Sequence, residues 1–128
     1  MRAIVDTHTF LWWNLDDPQL SQTAREFISD GRNQIYLSAV SAWEIALKYA
    51  KGRLELPEPP DDYITSRLKL HDFWPLSVEI SHALHVYQLP AIHQDPFDRL
   101  LIVQAQLENC LLITTDREIA RYDVDILW

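Results

Sequence analysis

At 128 residues the chain has the size of one domain, and a composition 48% hydrophobic and 23% charged excludes a disordered segment. A formal net charge of −8 excludes a general nucleic-acid binder, whose phosphate affinity would rest on Lys and Arg. It leaves open a site in which gathered carboxylates hold a cation.

The lone cysteine, Cys110, forms no intrachain disulfide and fits a reducing cytoplasm. Asp6 interrupts the N-terminal apolar stretch, so a signal peptide is not expected there. No apolar run approaches the length that spans a bilayer, and a soluble cytoplasmic protein is expected.

Residues 3–5 predict a buried strand ending at Asp6. A helix is expected over 9–15, with Asp16, Asp17 and Pro18 marking a turn, and a second helix over 21–28 that closes at Asp30 and Gly31. Residues 34–37 predict a strand and 38–51 a helix, with Trp43, Ala46, Leu47 and Ala50 on its apolar face and Gly52 at its C-terminal cap. Pro57, Pro59 and Pro60 make 54–60 a loop, after which Asp61 or Asp62 is expected to cap a helix reaching about residue 70. A strand weakened by Pro75 is expected over 73–78 and a helix over 79–87. The helix over 96–109 has Asp95 as N-cap and Pro96 at its first position. A strand over 111–114, a short helix over 117–121 and a strand over 124–127 end the chain. Strands alternating with helices predict an α/β fold, a parallel sheet covered by helices on both faces.

Ligands of such a sheet bind beyond the carboxyl ends of its strands. Asp6 directly follows the first strand and Asp116 follows the strand over 111–114, so both fall on that edge. Glu44 and Asp98, read as first-turn residues of helices that follow strands, start at the same edge. Like charges brought together resist ionisation, and a divalent ion relieves the conflict. Mg²⁺ suits hard oxygen ligands and keeps several waters, and such an ion activates water at a phosphate. Each acid also has an ordinary reading. Asp6 could be a turn residue, and Asp116 a cap. Glu44 stands three residues after Ser41, as in a capping box, and four before Lys48, as in a helical ion pair. Asp95 and Asp98 could both be helix-start acids, and Asp95 is read as the cap.

The blocks VDTHTFLWW, SAVSAWEIALKYAKGRL, HQDPFDRLLIVQAQ and LLITTD, in this order and spacing, resemble PIN-domain proteins, and most of all the toxin nucleases of VapBC toxin–antitoxin pairs. The resemblance runs from Arg2 to the C-terminus and implies one PIN-like domain over residues 1–128, with a parallel sheet of about four to five strands flanked by helices on both faces. Carried over by position, Asp6, Glu44 and Asp98 match the family's three metal-site acids and Asp116 its frequent fourth. Thr7 sits where the family often has a polar residue near the metal. The resemblance implies a Mg²⁺- or Mn²⁺-dependent endoribonuclease acting on structured RNA of the tRNA or rRNA class. It further implies a homodimer, silenced by a cognate antitoxin. Asp95 beside Asp98 leaves both as candidates for the metal. Arg99, Arg117, Lys48, Lys51 and Arg53 are the cations nearest the motifs.

His82 and His85 have helical spacing, but no second motif completes a zinc site. His8, near Asp6, is read as a surface or packing residue. A phosphoaspartyl phosphatase would need an acid where His8 stands, and a phosphoacceptor receiver would need an acidic pair after the first strand. The alternative of another class is a catalytically silent PIN fold that only binds protein.

Overall fold

The computed structural model describes residues 1–128. In chain order the elements are β1 (Arg2–Val5), α1 (Thr7–Leu15), α2 (Gln22–Ser29), β2 (Gln34–Ser38), α3 (Ala39–Ala50), α4 (Pro60–His71), β3 (Trp74–Leu76), α5 (Ile80–His85), α6 (Pro96–Glu108), β4 (Leu111–Ile113) and β5 (Ile126–Leu127), with single 3₁₀ turns at Val86–Gln88 and Ile119–Arg121. The five strands form one sheet in the order β3-β2-β1-β4-β5, and every neighbouring pair is parallel.

β1 lies at the centre. Its pleat sends Ala3 and Val5 to one face, where they join Phe10, Leu20, Ala24, Ile28, Tyr63 and Phe73. Ile4 points to the other face, among Leu101, Ile102, Leu112 and Ile119. Both faces are covered, which is why β1 reads as an unbroken apolar run rather than an alternating one. From β1 the chain moves outward to β2 and β3 through α1 to α4. It then returns past β1 to β4 and β5 through α5 and α6. The strand order therefore reverses between β1 and β4, and the crevice of such a sheet opens at the carboxyl ends of those two strands.

Local chemistry fixes the helix ends. Asp6, Ser21, Ser38 and Asp95 each accept a backbone N–H as N-caps of α1, α2, α3 and α6. Asp16 and Asn109 close α1 and α6 in the left-handed conformation, at φ 50° and 54°.

Four expectations are corrected. α1 begins at Thr7 rather than at residue 9, because Asp6 caps it and the helix starts straight off the strand. Asp61 and Asp62 lie in the first turn of α4 instead of capping it, since Pro60 already takes its first position and Pro59 the cap. Ser38, not Ser41, caps α3, so Ser41 and Glu44 form no capping box and Glu44 sits in the second turn. α3 also turns the other way from expectation. Trp43 is 56% exposed and Ala46 and Ala50 are exposed, while Val40, Ser41, Glu44 and Ile45 face inward. Thr7 on α1 meets Ser41 and Glu44 on that inward face, beside the buried Val40 and Ile45.

Candidate active site

Val5 and Ile113 are paired at the ends of β1 and β4, and the next residues are Asp6 and Thr114. The Thr114 hydroxyl donates to Asp6 Oδ2 at 2.6 Å and accepts from the Asp116 N–H at 3.0 Å. One side chain thereby ties the acid after β1 to the acid after β4. Asp6 Oδ1 accepts from the Thr9 N–H at 2.8 Å, and the Thr9 hydroxyl donates to the Ile113 carbonyl at 2.9 Å, which pins the start of α1 across the crevice. Asp6 is 6% exposed, and burial pushes its carboxyl above the usual range, against the opposing hydrogen bonds of Thr114 and Thr9.

Glu44 enters from α3 and is 7% exposed. Its Oε1 accepts from the Thr7 hydroxyl at 2.6 Å and its Oε2 from Lys48 Nζ at 2.7 Å. Thr7 Oγ1 also lies 3.0 Å from Ser41 Oγ. Since Thr7 follows Asp6 directly, this contact carries Glu44 to the end of β1 although it stands a turn further along its helix than expected.

Asp98 enters from the first turn of α6. Burial pushes its carboxyl up to about 7, the Asp95 carboxylate adds to the rise, the His93 hydrogen bond opposes it, and Asp116 raises it further. Asp98 and Asp116 thus stand within each other's field. His93 Nε2 lies 3.2 Å from Asp98 Oδ2, and His93 Nδ1 lies 2.7 Å from the Tyr122 hydroxyl. Asp95 Oδ1 is committed to the N–H groups of Phe97 and Asp98, at 2.9 and 3.1 Å, as the cap of α6. Asp116 Oδ1 accepts from the Glu118 N–H at 2.8 Å.

No three His, Cys, Asp or Glu side chains are drawn together as a ready-made chelate. The donors nonetheless fit a hard divalent ion. All four are carboxylates, and Mg²⁺ needs few direct protein oxygens because it keeps its waters. Burial raises the carboxyls of Asp6 and Asp98, with Asp95 and Asp116 adding to the rise at Asp98, and a bound cation would favour the ionised form of both. Lys48, on Glu44, is the one Lys or Arg ion-paired with any of the four.

Several contributors were not singled out from the sequence as site residues. Thr114 and Tyr122 lie in segments read only as a strand end and a loop, and His93 opens the HQDPFDRLLIVQAQ block without a role of its own. A threonine two residues before Asp116, at a strand end, was the signal available for Thr114. Of the cations nearest the motifs, Lys48 is held by Glu44, and Arg99 by the Pro90 carbonyl at 2.8 Å and the Tyr122 hydroxyl at 3.1 Å. His82 is buried, accepting from the Glu79 N–H at 3.0 Å and meeting Glu108 Oε2 at 3.0 Å, which makes it a capping and core residue. His8 packs on Trp12 with ring centroids 5.6 Å apart.

Ribonuclease VapC16 of Mycobacterium tuberculosis is 46% identical over 61 residues, 48% of this chain and 43% of that protein, so the match spans less than half of the curated relative's length. Among solved structures, VapBC2 from Rickettsia felis, bound to a DNA fragment from its promoter, is similar with a TM-score of 0.71 at 14% identity, covering 98% of this chain and 97% of that one. FitAcB from Neisseria gonorrhoeae gives 0.65 at 20% identity, covering 97% and 95%. VapBC-1 from nontypeable Haemophilus influenzae gives 0.62 at 16%, covering 98% and 96%. At these identities the likeness is one of fold. The PIN domain family model matches residues 3–125, nearly the whole chain, and the protein belongs to that family.

Proposed function

We propose that the chain is a metal-dependent endoribonuclease, the toxin of a toxin–antitoxin pair, hydrolysing phosphodiester bonds in structured RNA of the tRNA or rRNA class. The observation that carries this reading is the placement of Asp6 and Asp116 after the carboxyl ends of β1 and β4, joined through the Thr114 hydroxyl, with Asp98 close enough to Asp116 to feel its charge. The ribonuclease name of the sequence relative and the VapBC complexes among the similar structures support the same reading.

In this proposal Asp6, Glu44 and Asp98 hold a Mg²⁺ or Mn²⁺ ion, with Asp116 assisting. When bound, the ion supplies Lewis-acid polarisation of the phosphate and acidifies a water. Thr114 and the Thr9 N–H fix the two oxygens of Asp6, while Thr7 and Lys48 fix those of Glu44. Of the five cations nearest the motifs, Lys51, Arg53 and Arg117 enter neither an ion pair nor a side-chain hydrogen bond and are the ones left to meet RNA phosphates.

A second copy and a cognate antitoxin are the proposed protein partners. Trp43 on α3, and the row Ile80, Leu84 and Tyr87 along α5 and the turn after it, expose apolar area such partners would cover. No helix is long and apolar enough to cross a membrane, and a cytoplasmic location is proposed with the RNA substrate.

The test is cleavage of purified tRNA and rRNA by the protein with Mg²⁺ or Mn²⁺. The expected result is defined fragments, none after chelation with EDTA, and their return when the ion is restored. A protein that binds a partner yet leaves every RNA intact with either ion would instead be the silent protein-binding module.

A further inference from the structure

The hydrogen bonds behind Asp98 determine which nitrogen of His93 carries its proton. The Tyr122 oxygen receives two donors, Arg99 Nη1 at 3.1 Å and the His93 backbone N–H at 3.2 Å. With both acceptor positions taken, what the hydroxyl has left to offer is its own proton. The nearest acceptor is His93 Nδ1 at 2.7 Å, while the His93 carbonyl is farther, at 3.5 Å. A neutral imidazole that accepts at Nδ1 holds its hydrogen on Nε2, and Nε2 faces Asp98 Oδ2 at 3.2 Å. The direction of donation therefore runs Arg99 to Tyr122 to His93 to Asp98.

The anchor of this relay is well fixed. Arg99 also donates to the carbonyls of Pro90 and Val86, at 2.8 and 3.3 Å. Tyr122 is buried in the core on the α6 side of the sheet, and its ring meets that of His93 edge-on, with centroids 5.4 Å apart.

We propose that His93 is a positioning residue for the metal site, locked by Tyr122 as the Nε2–H tautomer so that it engages Asp98 Oδ2 and leaves Oδ1 for the cation. The inference rests on the reading of Asp98 as a metal ligand. Partners of this kind orient a ligating group, and losing one typically weakens metal affinity about 10–100-fold.

The test combines ¹⁵N NMR of the histidine ring near pH 8 with Mn²⁺ titration by electron paramagnetic resonance, on the full chain. For wild type the Nε2–H tautomer of His93 is expected. In Tyr122→Phe, which keeps the ring and removes the hydroxyl, a mixture of tautomers and a several-fold weaker Mn²⁺ affinity are expected. His93→Ala should weaken Mn²⁺ by about 10–100-fold, and His93→Gln, whose amide N–H can still donate, should recover part of the loss. A wild-type His93 protonated on Nδ1 would overturn the proposal, as would His93→Ala and His93→Gln proteins that melt lower yet bind Mn²⁺ as wild type does. A wild-type protein with no Mn²⁺ affinity at all would remove the metal reading itself, and the positioning role with it. Normal Mn²⁺ binding with indifferent His93 variants would remove the positioning role alone.

Discussion

Asp6 has two structural duties besides its proposed one, since its carboxylate caps α1 and receives the Thr114 hydroxyl. Asp6→Asn keeps an oxygen for the cap and loses the charge, so it separates chemistry from folding. Amide substitution at Asp6, Glu44 or Asp98 is expected to lower RNA cleavage by at least about 100-fold, with little further loss in double variants, because groups that hold one ion fail together. Asp116→Asn should lose less. Single-turnover cleavage on a fixed RNA measures this, and losses that multiply freely would argue against one shared centre.

Asp98 adds a pH signature. Its ordinary value near 3.8 in the unfolded chain rises to about 7 in the fold. Below both values the carboxyl is protonated in either state and costs nothing. Between them the unfolded chain releases the proton and the folded one keeps it, so stability falls as pH climbs from about 4 to about 7 and stays lower above that. Asp98→Asn, which cannot ionise, should gain stability relative to wild type across that window when metal is chelated. Denaturant melts at several pH values in EDTA test it, and a difference between the two proteins that does not change with pH would contradict the assignment.

At the scale of elements, α6 shows how a helix start separates two neighbouring acids. Asp95 lies at the cap with its carboxylate turned to backbone N–H groups, and Asp98, one turn in, meets His93 and feels the charge of Asp116. Asp95→Ala should cost about 1 kcal/mol of stability through the lost cap. It also removes a charge that raises Asp98, so the Asp98 carboxyl should titrate lower in that variant. Loss of cleavage in Asp95→Ala, with Asp98→Asn still active, would reverse the two roles. The strands, α6 and its cap were legible in the sequence, because an apolar run ending in an acid and an Asp-Pro helix start are local signals. The orientation of α3 was not. Its apolar stripe is the better one by composition, yet Glu44 turns inward because Thr7 and Lys48 satisfy its oxygens there.

For the whole molecule, a chain with net charge −8 that gathers carboxylates at one edge of its sheet should respond to a cation that binds only the folded state. At a hundredfold excess over the dissociation constant, Mn²⁺ should stabilise the fold by about 2.7 kcal/mol. In a domain of this size that is a rise in melting temperature on the order of 10 °C. Asp98→Asn should blunt the response. A monovalent salt at matched ionic strength controls for simple screening. A wild-type melting curve indifferent to millimolar Mn²⁺ would falsify the metal centre.

The sequence by itself determined the alternation of strands and helices, the parallel sheet, and that Asp6 and Asp116 stand at strand ends, because strand ends and capping acids are written locally. Only the tertiary structure decided how the acids are joined. Thr114 meets Asp6 because β4 returns to lie beside β1, and the two residues are 108 apart in the chain. Tyr122 reaches His93, and through it Asp98, across 29 residues. Such contacts depend on strand order and on which face a helix buries. No local pattern encodes either, since both follow from how the whole chain shares out its apolar surface and its hydrogen bonds.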